Sequence, residues 1–254
     1  MLIVISPAKK LDFENLAPLK DFSQPLFLEK AKLLIKDLKK CSPSEISKMM
    51  GLSENLTKLN IERYKTFKTP FNLKNSKQAL YAFRGDTYVG LDADSMESKQ
   101  VKFAQDHLRI LSGLYGLVSP LDLIQPYRLE MGTKFSCQGK ANLHKFWNEA
   151  VTQKVNELLD KEKQKVLINL ASKEYFSAID LKSLEGEVIT PVFKEKKDDN
   201  YKIISFFAKK ARGMMSRYII DNEITDPKDI LAFDRDNYKY NKKLSTPSEP
   251  VFTR

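Results

Sequence analysis

The stretch Met1-Leu-Ile-Val-Ile5 decides the fold class of this chain. It is apolar throughout, and the polar turn Ser6-Pro-Ala-Lys-Lys10 follows it, which is typical of a buried strand. By the same criteria, further strands are predicted over residues 166–170, 188–192 and 202–206, and helices over residues 26–38 and 143–159. Alternating strands and helices favour a mixed or largely parallel sheet covered by helices. We therefore expect an α/β fold.

The chain shows no linker that would separate two domains. Residues 1–233 are expected to form a single compact domain, with a helical hairpin inserted at about residues 42–65. Beyond residue 233 the chain becomes rich in Asn, Lys, Ser and Pro. Such composition predicts an irregular C-terminal arm over residues 234–254. The charge run at residues 194–200 is expected to form an exposed turn.

Composition indicates an acidic partner. The formal charge is +10 and the isoelectric point is near 9.3, which makes nucleic acid the leading candidate. Residues 1–5 are too short an apolar segment to span a bilayer or to form a signal sequence, so no membrane association is expected. The chain has two cysteines, Cys41 and Cys137. Neither a disulfide framework nor a zinc site follows from them, and a reducing cytoplasm is inferred.

A helix pair with a tight glycine turn is predicted in the first quarter of the chain. Ser42-Pro-Ser-Glu45 has the spacing of a capping box, Gly51 supplies a stop, and Ser53 can begin a second helix that carries Leu56, Leu59 and Tyr64. The turn resembles that of helix-hairpin-helix modules, in which backbone N–H groups hold a phosphate. Ser53 stands where those hairpins usually carry a second glycine. The alternative is a helix pair with a purely structural role.

The basic run Phe206-Phe-Ala-Lys-Lys-Ala-Arg-Gly-Met-Met-Ser-Arg-Tyr218 contains four cations and no acid. It follows the predicted strand and is expected to become helical, with Met214, Tyr218 and Ile219 facing inward. One interpretation is a surface for a polyanion. The other is an amphipathic helix whose cations only solvate its outer face.

The segment from residue 107 to residue 132 places single polar groups among buried-type residues. Arg109, Arg128 and Glu130 are candidates for a cleft in which guanidinium groups bind phosphate or base edges. Equally, Arg128 and Glu130 can form a structural ion pair. Gly113-Leu-Tyr-Gly116 lacks both the Walker ending and the dinucleotide-binding spacing. No nucleotide or other cofactor is therefore expected.

Catalytic and metal-binding patterns are sparse. Polar residues directly after a strand are often placed at active sites in α/β proteins, so an enzymatic cleft would gather Ser6, Lys9, Asp86, Arg109 and Tyr115. His107 is a weak candidate for a general base, and His144 is expected to cap a helix or lie on the surface. The acids near Asp92 either are solvated loop residues or line a metal pocket. Because the chain has only two histidines and no patterned carboxylates, no dedicated metal site is expected.

Five motifs in order resemble the YaaA family of bacterial peroxide-stress proteins. They are Ile3-Val-Ile-Ser-Pro-Ala-Lys9, Ala82-Phe-Arg-Gly-Asp86 with Tyr88 and Gly90-Leu91, residues 108–132, Asn169-Leu-Ala-Ser172 with Glu174-Tyr-Phe176, and residues 202–217. The resemblance runs from Met1 to about Phe233. It implies a cytoplasmic protein with an unusual, family-specific α/β fold, DNA binding through a helix-hairpin-helix element and a basic cleft, and a role in limiting iron-driven oxidative damage.

Two positions depart from the family pattern. Lys10 replaces a common Thr, and Val118-Ser119 replaces a Leu-Arg pair before Pro120. The second change removes a cation from the expected cleft, which puts a phosphate contact there in doubt.

The expected function is binding of double-stranded DNA without strong sequence preference, with branched and damaged duplexes among the forms considered. An enzyme acting on nucleic acid or a damaged base is the rival, and direct iron sequestration ranks lowest. Of these, simple binding is favoured over catalysis. The expected DNA contacts are Lys48, Gly51, Leu52, Ser53, Lys58, Arg84, Arg109, Arg128, Lys209, Lys210, Arg212 and Arg217.

Overall fold

The computed structural model describes residues 1–198 and 200–254. The strands of the described chain are β1 (Leu2–Ile5), β2 (Lys10–Leu11), β3 (Lys77–Gln78), β4 (Phe83–Arg84), β5 (Leu108–Ser112), β6 (Gly116–Val118), β7 (Leu123–Ile124), β8 (Val166–Leu170), β9 (Glu187–Ile189), β10 (Val192–Lys197), β11 (Asn200–Lys202), β12 (Lys239–Tyr240) and β13 (Val251–Thr253). The α-helices are α1 (Leu28–Leu38), α2 (Pro43–Met50), α3 (Glu54–Thr66), α4 (Ala79–Ala82), α5 (Asp86–Leu91), α6 (Ser98–His107), α7 (Leu143–Leu159), α8 (Lys173–Phe176) and α9 (Ser205–Asp221).

The central sheet has the order β6-β5-β1-β8-β9. β1 pairs in parallel with β5 and with β8, placing Ile3 opposite Leu108 on one side and Ile168 on the other. β9 continues the parallel set and β6 closes the far edge in the antiparallel direction. Every residue of β1, β5 and β8 is buried, as expected for parallel strands covered on both faces. The predicted mixed α/β fold is confirmed.

The C-terminal segment departs from the prediction of an irregular arm. β12 and β13 join β10 and β11 in a second sheet of order β11-β10-β13-β12. Phe252 is fully buried and stacks on Phe193, with ring centroids 5.6 Å apart. β13 has only three residues between polar flanks, so the composition of the segment did not predict a strand. Pairing with β10 stabilises it.

The prediction of a strand over residues 202–206 is wrong. β11 ends at Lys202 and α9 begins at Ser205, while Ile203 and Ile204 between them are exposed. The charge run at residues 194–200 belongs largely to β10 and to the start of β11, and its residue 199 lies outside the described residues. Residues 188–192 are divided between two strands, because Pro191 cannot donate a ladder hydrogen bond.

The inward face of α9 also differs from the predicted stripe. Its buried positions include Ala208, Ala211, Met215 and Ile219, whereas Met214 and Tyr218 are half-buried. This face is set by the crossing with α5, where a Cβ on Gly213 would lie 1.8 Å from the Thr87 carbonyl oxygen. Among the described residues, no helix combines the length and apolar character needed to cross a membrane.

Candidate functional site

The helix pair predicted at residues 42–65 is present as α2 and α3. The Ser42 side chain accepts a hydrogen bond from the Glu45 amide at 3.3 Å, and the Glu45 carboxylate accepts one from the Ser42 amide at 2.7 Å. α2 therefore begins with the predicted capping box. Gly51 ends α2 with a left-handed φ of 61°, and the Leu52 amide then donates to the Ser47 carbonyl at 3.0 Å. Backbone hydrogen bonding thus defines this exposed turn.

The N-terminus of α3 opens toward solvent next to the turn. Ser53 is its N-cap, and the Glu54 and Asn55 residues of its first turn are exposed. The Leu56 amide donates to the Ser53 hydroxyl at 3.5 Å. Because the other first N–H groups of a helix have no partner within it, they can donate to an outside anion. Lys48 on α2 is exposed, and Lys58 on α3 pairs with Glu54 at 2.6 Å. An anion at this turn would meet backbone N–H donors and the cations Lys48 and Lys58. The Glu54 carboxylate would compete with it for Lys58.

The far half of α3 is anchored to the rest of the protein by Tyr64. Thr57, Asn60 and Tyr64 are its buried positions, and the Tyr64 hydroxyl donates to the Arg128 carbonyl. Leu56 and Leu59 are 39% and 45% exposed, so of the predicted apolar positions only Tyr64 packs inward. Leu52 in the turn is 7% exposed and belongs to the hydrophobic core, so α3 is held at both of its ends.

Ser6 and Lys9 lie where β1 ends, at the carboxyl edge of the parallel strands. This edge is the usual place for ligands in open α/β sheets. The Ser6 hydroxyl accepts from the Ser172 amide at 2.8 Å. Lys9 and Arg128 both contact the Glu130 carboxylate, at 2.9 and 3.1 Å. The structural ion pair considered for Arg128 is thus present, and Lys9 joins it.

Arg109 and Tyr115 lie apart from this cluster. The Arg109 guanidinium donates to the carbonyl oxygens of Gln105 and Leu108 at 2.8 and 2.7 Å, and its burial lowers its pKa. Tyr115 is fully buried, its hydroxyl accepts from the Gln125 amide at 3.0 Å, and burial raises its pKa. The expectation that five residues gather in one cleft is therefore wrong, because these two side chains are committed to the core.

Asp86 and Arg84 line a separate groove of about 1120 Å³ between α3, the segment after β1 and α5. Arg84 pairs with Asp12 at 3.2 Å and with Asp94 at 3.1 Å. Burial acts to raise the pKa of Asp12, but hydrogen bonds from Asn15 and Arg84 and the charge of Lys77 outweigh it and lower that pKa. The groove includes the carboxylates of Asp12, Glu14, Asp86, Asp92 and Asp94. It is not the basic cleft that was expected.

The four cations of α9 have different surroundings. Lys209 is exposed, whereas Lys210 lies 3.5 Å from Asp236. Arg212 is half-buried, and burial lowers its pKa. Arg217 donates to the carboxylate of Asp221 at 2.6 Å. It also donates to the Asp92 carbonyl and the Ser95 hydroxyl, each at 2.7 Å. The run itself contains no acid, but in the structure Asp236 and Asp221 from outside the run pair with two of its cations.

Among the residues that the structure describes, neither histidine is hydrogen-bonded to a Ser, Thr or Cys side chain. His107 Nδ1 lies 3.1 Å from both the Met1 carbonyl and Glu162, and His144 Nε2 lies 2.9 Å from the Glu174 carbonyl. Within residues 1–198 and 200–254, no three His, Cys, Asp or Glu side chains converge as metal ligands.

The structure also reveals a basic surface that sequence reasoning missed. Lysines of α1 and Lys68, which follows α3, line one groove. The repeated lysines at residues 32, 36, 39 and 40 were a visible signal, but the approach of Lys68 depends on tertiary structure.

These features define a mixed α/β protein with a central set of parallel strands and an exposed helix pair. The chain matches the family described as peroxide stress protein YaaA over residues 1–244. It belongs to that family, as its five motifs indicated.

Curated relatives cover the chain from end to end. UPF0246 proteins of Shewanella loihica and Polynucleobacter necessarius are 50% and 51% identical to it over 254 residues, with 98% of each relative covered. The UPF0246 protein of Colwellia psychrerythraea is 52% identical, with 99% covered.

Proposed function

We propose that this peroxide-stress protein binds double-stranded DNA without sequence preference and so protects it from iron-driven oxidative damage. The observation that carries the proposal is the turn at Gly51, which presents the exposed N-terminus of α3 between Lys48 and Lys58. A helix N-terminus and nearby cations suit a phosphate. Contacts of this kind position a protein on a duplex and do not distinguish bases.

The balance of charge at the turn supports a modest, salt-sensitive contact. Lys58 is shared with Glu54, whose carboxylate lies in the first turn of α3. That carboxylate opposes an approaching phosphate, so affinity must come from several contacts across the surface. The chain has the necessary excess of cations, with a net charge of +10.

The test compares two substitutions at Gly51. Asn tolerates the left-handed conformation, whereas the β-branched Val does not, and no atom would crowd a Cβ at this position. We expect Gly51→Asn to keep most of the duplex affinity and Gly51→Val to lose about tenfold. Affinity is measured by fluorescence anisotropy on several unrelated duplexes, with melting curves to verify that both variants fold. Equal affinity in a folded Gly51→Val variant contradicts the proposal.

The rival enzymatic function is favoured by one observation, the position of Ser6 and Lys9 at the carboxyl edge of the strands. It is weakened by the separate locations of Arg109 and Tyr115. Incubation with intact, branched and oxidatively damaged duplexes distinguishes the two functions. Retention without altered strands supports binding, and strand cleavage or base loss supports the enzyme. Iron sequestration draws no support from the side chains of the described residues.

A further inference from the structure

A groove of about 440 Å³ runs between α1 and the segment that follows α3. We call it the α1 lysine groove. Its lining contains no acidic residue, and its cations are Lys32, Lys36, Lys39, Lys40 and Lys68.

Most of these cations are not used to hold the fold together. Lys32 pairs with Glu29 at 2.7 Å and Lys40 with Asp37 at 2.9 Å. For Lys36, Lys39 and Lys68, all exposed, no carboxylate lies within ion-pair distance in the part of the chain that the structure describes. Three like charges in one groove repel one another, so an arriving anion would relieve this repulsion.

The floor of the groove is apolar and firmly packed. Ile35 is 3% exposed, and the ring of Phe67 packs edge-on against Phe71 with centroids 5.4 Å apart. The lysines therefore extend from fixed backbone positions. They form two walls, one from α1 with the two lysines that follow it and the other from Lys68.

The spacing of the lysines suits a chain of charges better than one small anion. Residues four apart lie on the same face of a helix, about 6 Å apart along its axis. Lys32 and Lys36 follow this interval, and Lys39 and Lys40 come directly after the end of α1 at Leu38. Cations at this spacing can neutralise several phosphates of one duplex backbone.

The residues of the groove flank the helix pair in the chain, before α2 and after α3. Lys39 and Lys40 precede the Ser42 cap of α2, while Lys68 follows the end of α3 at Thr66. The 13 residues of α3 extend about 20 Å. That length corresponds to about six base-pair steps of duplex DNA.

We propose that the α1 lysine groove binds the phosphate backbone of the same DNA molecule that the Gly51 turn contacts. This inference rests on the proposed function and extends the binding surface along α3 to α1. Lys36, Lys39 and Lys68 make the main contacts, since the other two lysines are shared with acids.

The test replaces Lys36, Lys39 and Lys68 together by Gln and measures duplex affinity as a function of salt. Each phosphate contact contributes about 0.9 to the slope of log affinity against log salt, so the slope should fall by about 2.7. The loss should be the same for unrelated duplex sequences. The matched control replaces Lys161, Lys163 and Lys243, which are exposed elsewhere, and removes the same net charge. Melting curves verify the fold of both variants.

A slope that falls in the groove variant but not in the control supports the inference. An unchanged slope overturns it, and so does an equal fall in both variants, which would reflect net charge alone. If the parent binds duplex and Gly51→Val weakens it, either of these results leaves the proposed function standing. If the parent binds no duplex at any salt concentration, the proposed function itself is overturned and the inference with it.

Discussion

At the scale of single residues, the same amino-acid type has different roles according to what surrounds it. Arg217 and Lys209 both belong to the basic run of α9. Arg217 pairs with Asp221 of its own helix and links α9 to the residues after α5 through the Asp92 carbonyl and the Ser95 hydroxyl, whereas Lys209 is exposed. Arg217 is therefore a structural residue, and Lys209 is the member of the run most available to a polyanion.

We expect Arg217→Gln to destabilise the protein by about 1.5 kcal/mol, because it removes charged hydrogen bonds to the half-buried Asp221 and to the exposed Asp92 and Ser95. Lys209→Gln should change stability by less than about 0.5 kcal/mol. Urea denaturation of both variants checks this difference. Comparable stability in the two would show that the contacts of Arg217 contribute little.

At the scale of secondary-structure elements, the crossing of α5 and α9 is the tightest helix contact near the site. Gly90 lies against the Lys210 carbonyl, where an added Cβ would be 2.1 Å away, and Gly213 lies against Thr87. Two helices approach this closely only where side chains are absent at the crossing. The glycines in two of the family motifs thus have a packing role.

Gly213→Ala should destabilise the protein by about 3 kcal/mol, because the new methyl group meets backbone atoms that cannot move independently. Gly139→Ala is the matched control. Gly139 has a φ of 74° but no atom within 4 Å of an added Cβ, so only backbone strain of about 1 kcal/mol is expected there. Thermal and urea unfolding measure both changes. A smaller loss at Gly213 than at Gly139 would mean that the helices separate easily.

At the scale of the whole molecule, the C-terminal segment completes the second sheet. Phe252 packs between the rings of Phe193 and Phe233, with centroid distances of 5.6 Å to each. Arg254 then pairs with Glu195 on β10 at 2.8 Å. The last residues of the chain are therefore part of a folded core.

We expect Phe252→Ala to cost about 4 kcal/mol, the range for removing a buried aromatic side chain. Phe22→Ala, at a position 46% exposed, should cost much less. Equilibrium unfolding followed by circular dichroism measures both. A near-neutral Phe252→Ala variant would show that the second sheet contributes little to stability.

The sequence by itself determined the features that depend on neighbouring residues. The buried strand at Leu2–Ile5, the capping box at Ser42 and the left-handed stop at Gly51 all follow from local chemistry, and the structure contains each of them. Motif order also indicated the family. Local signals succeed here because hydrophobic runs, caps and turn residues act over a few positions.

Only the tertiary structure decided which distant side chains meet. It separated Arg109 and Tyr115 from Lys9, paired Arg217 with Asp92, and brought Lys68 beside α1. The polar C-terminal segment likewise forms a strand because β13 pairs with β10. Contacts of this kind arise from packing between elements far apart in the chain, and no pattern along the sequence encodes them one by one.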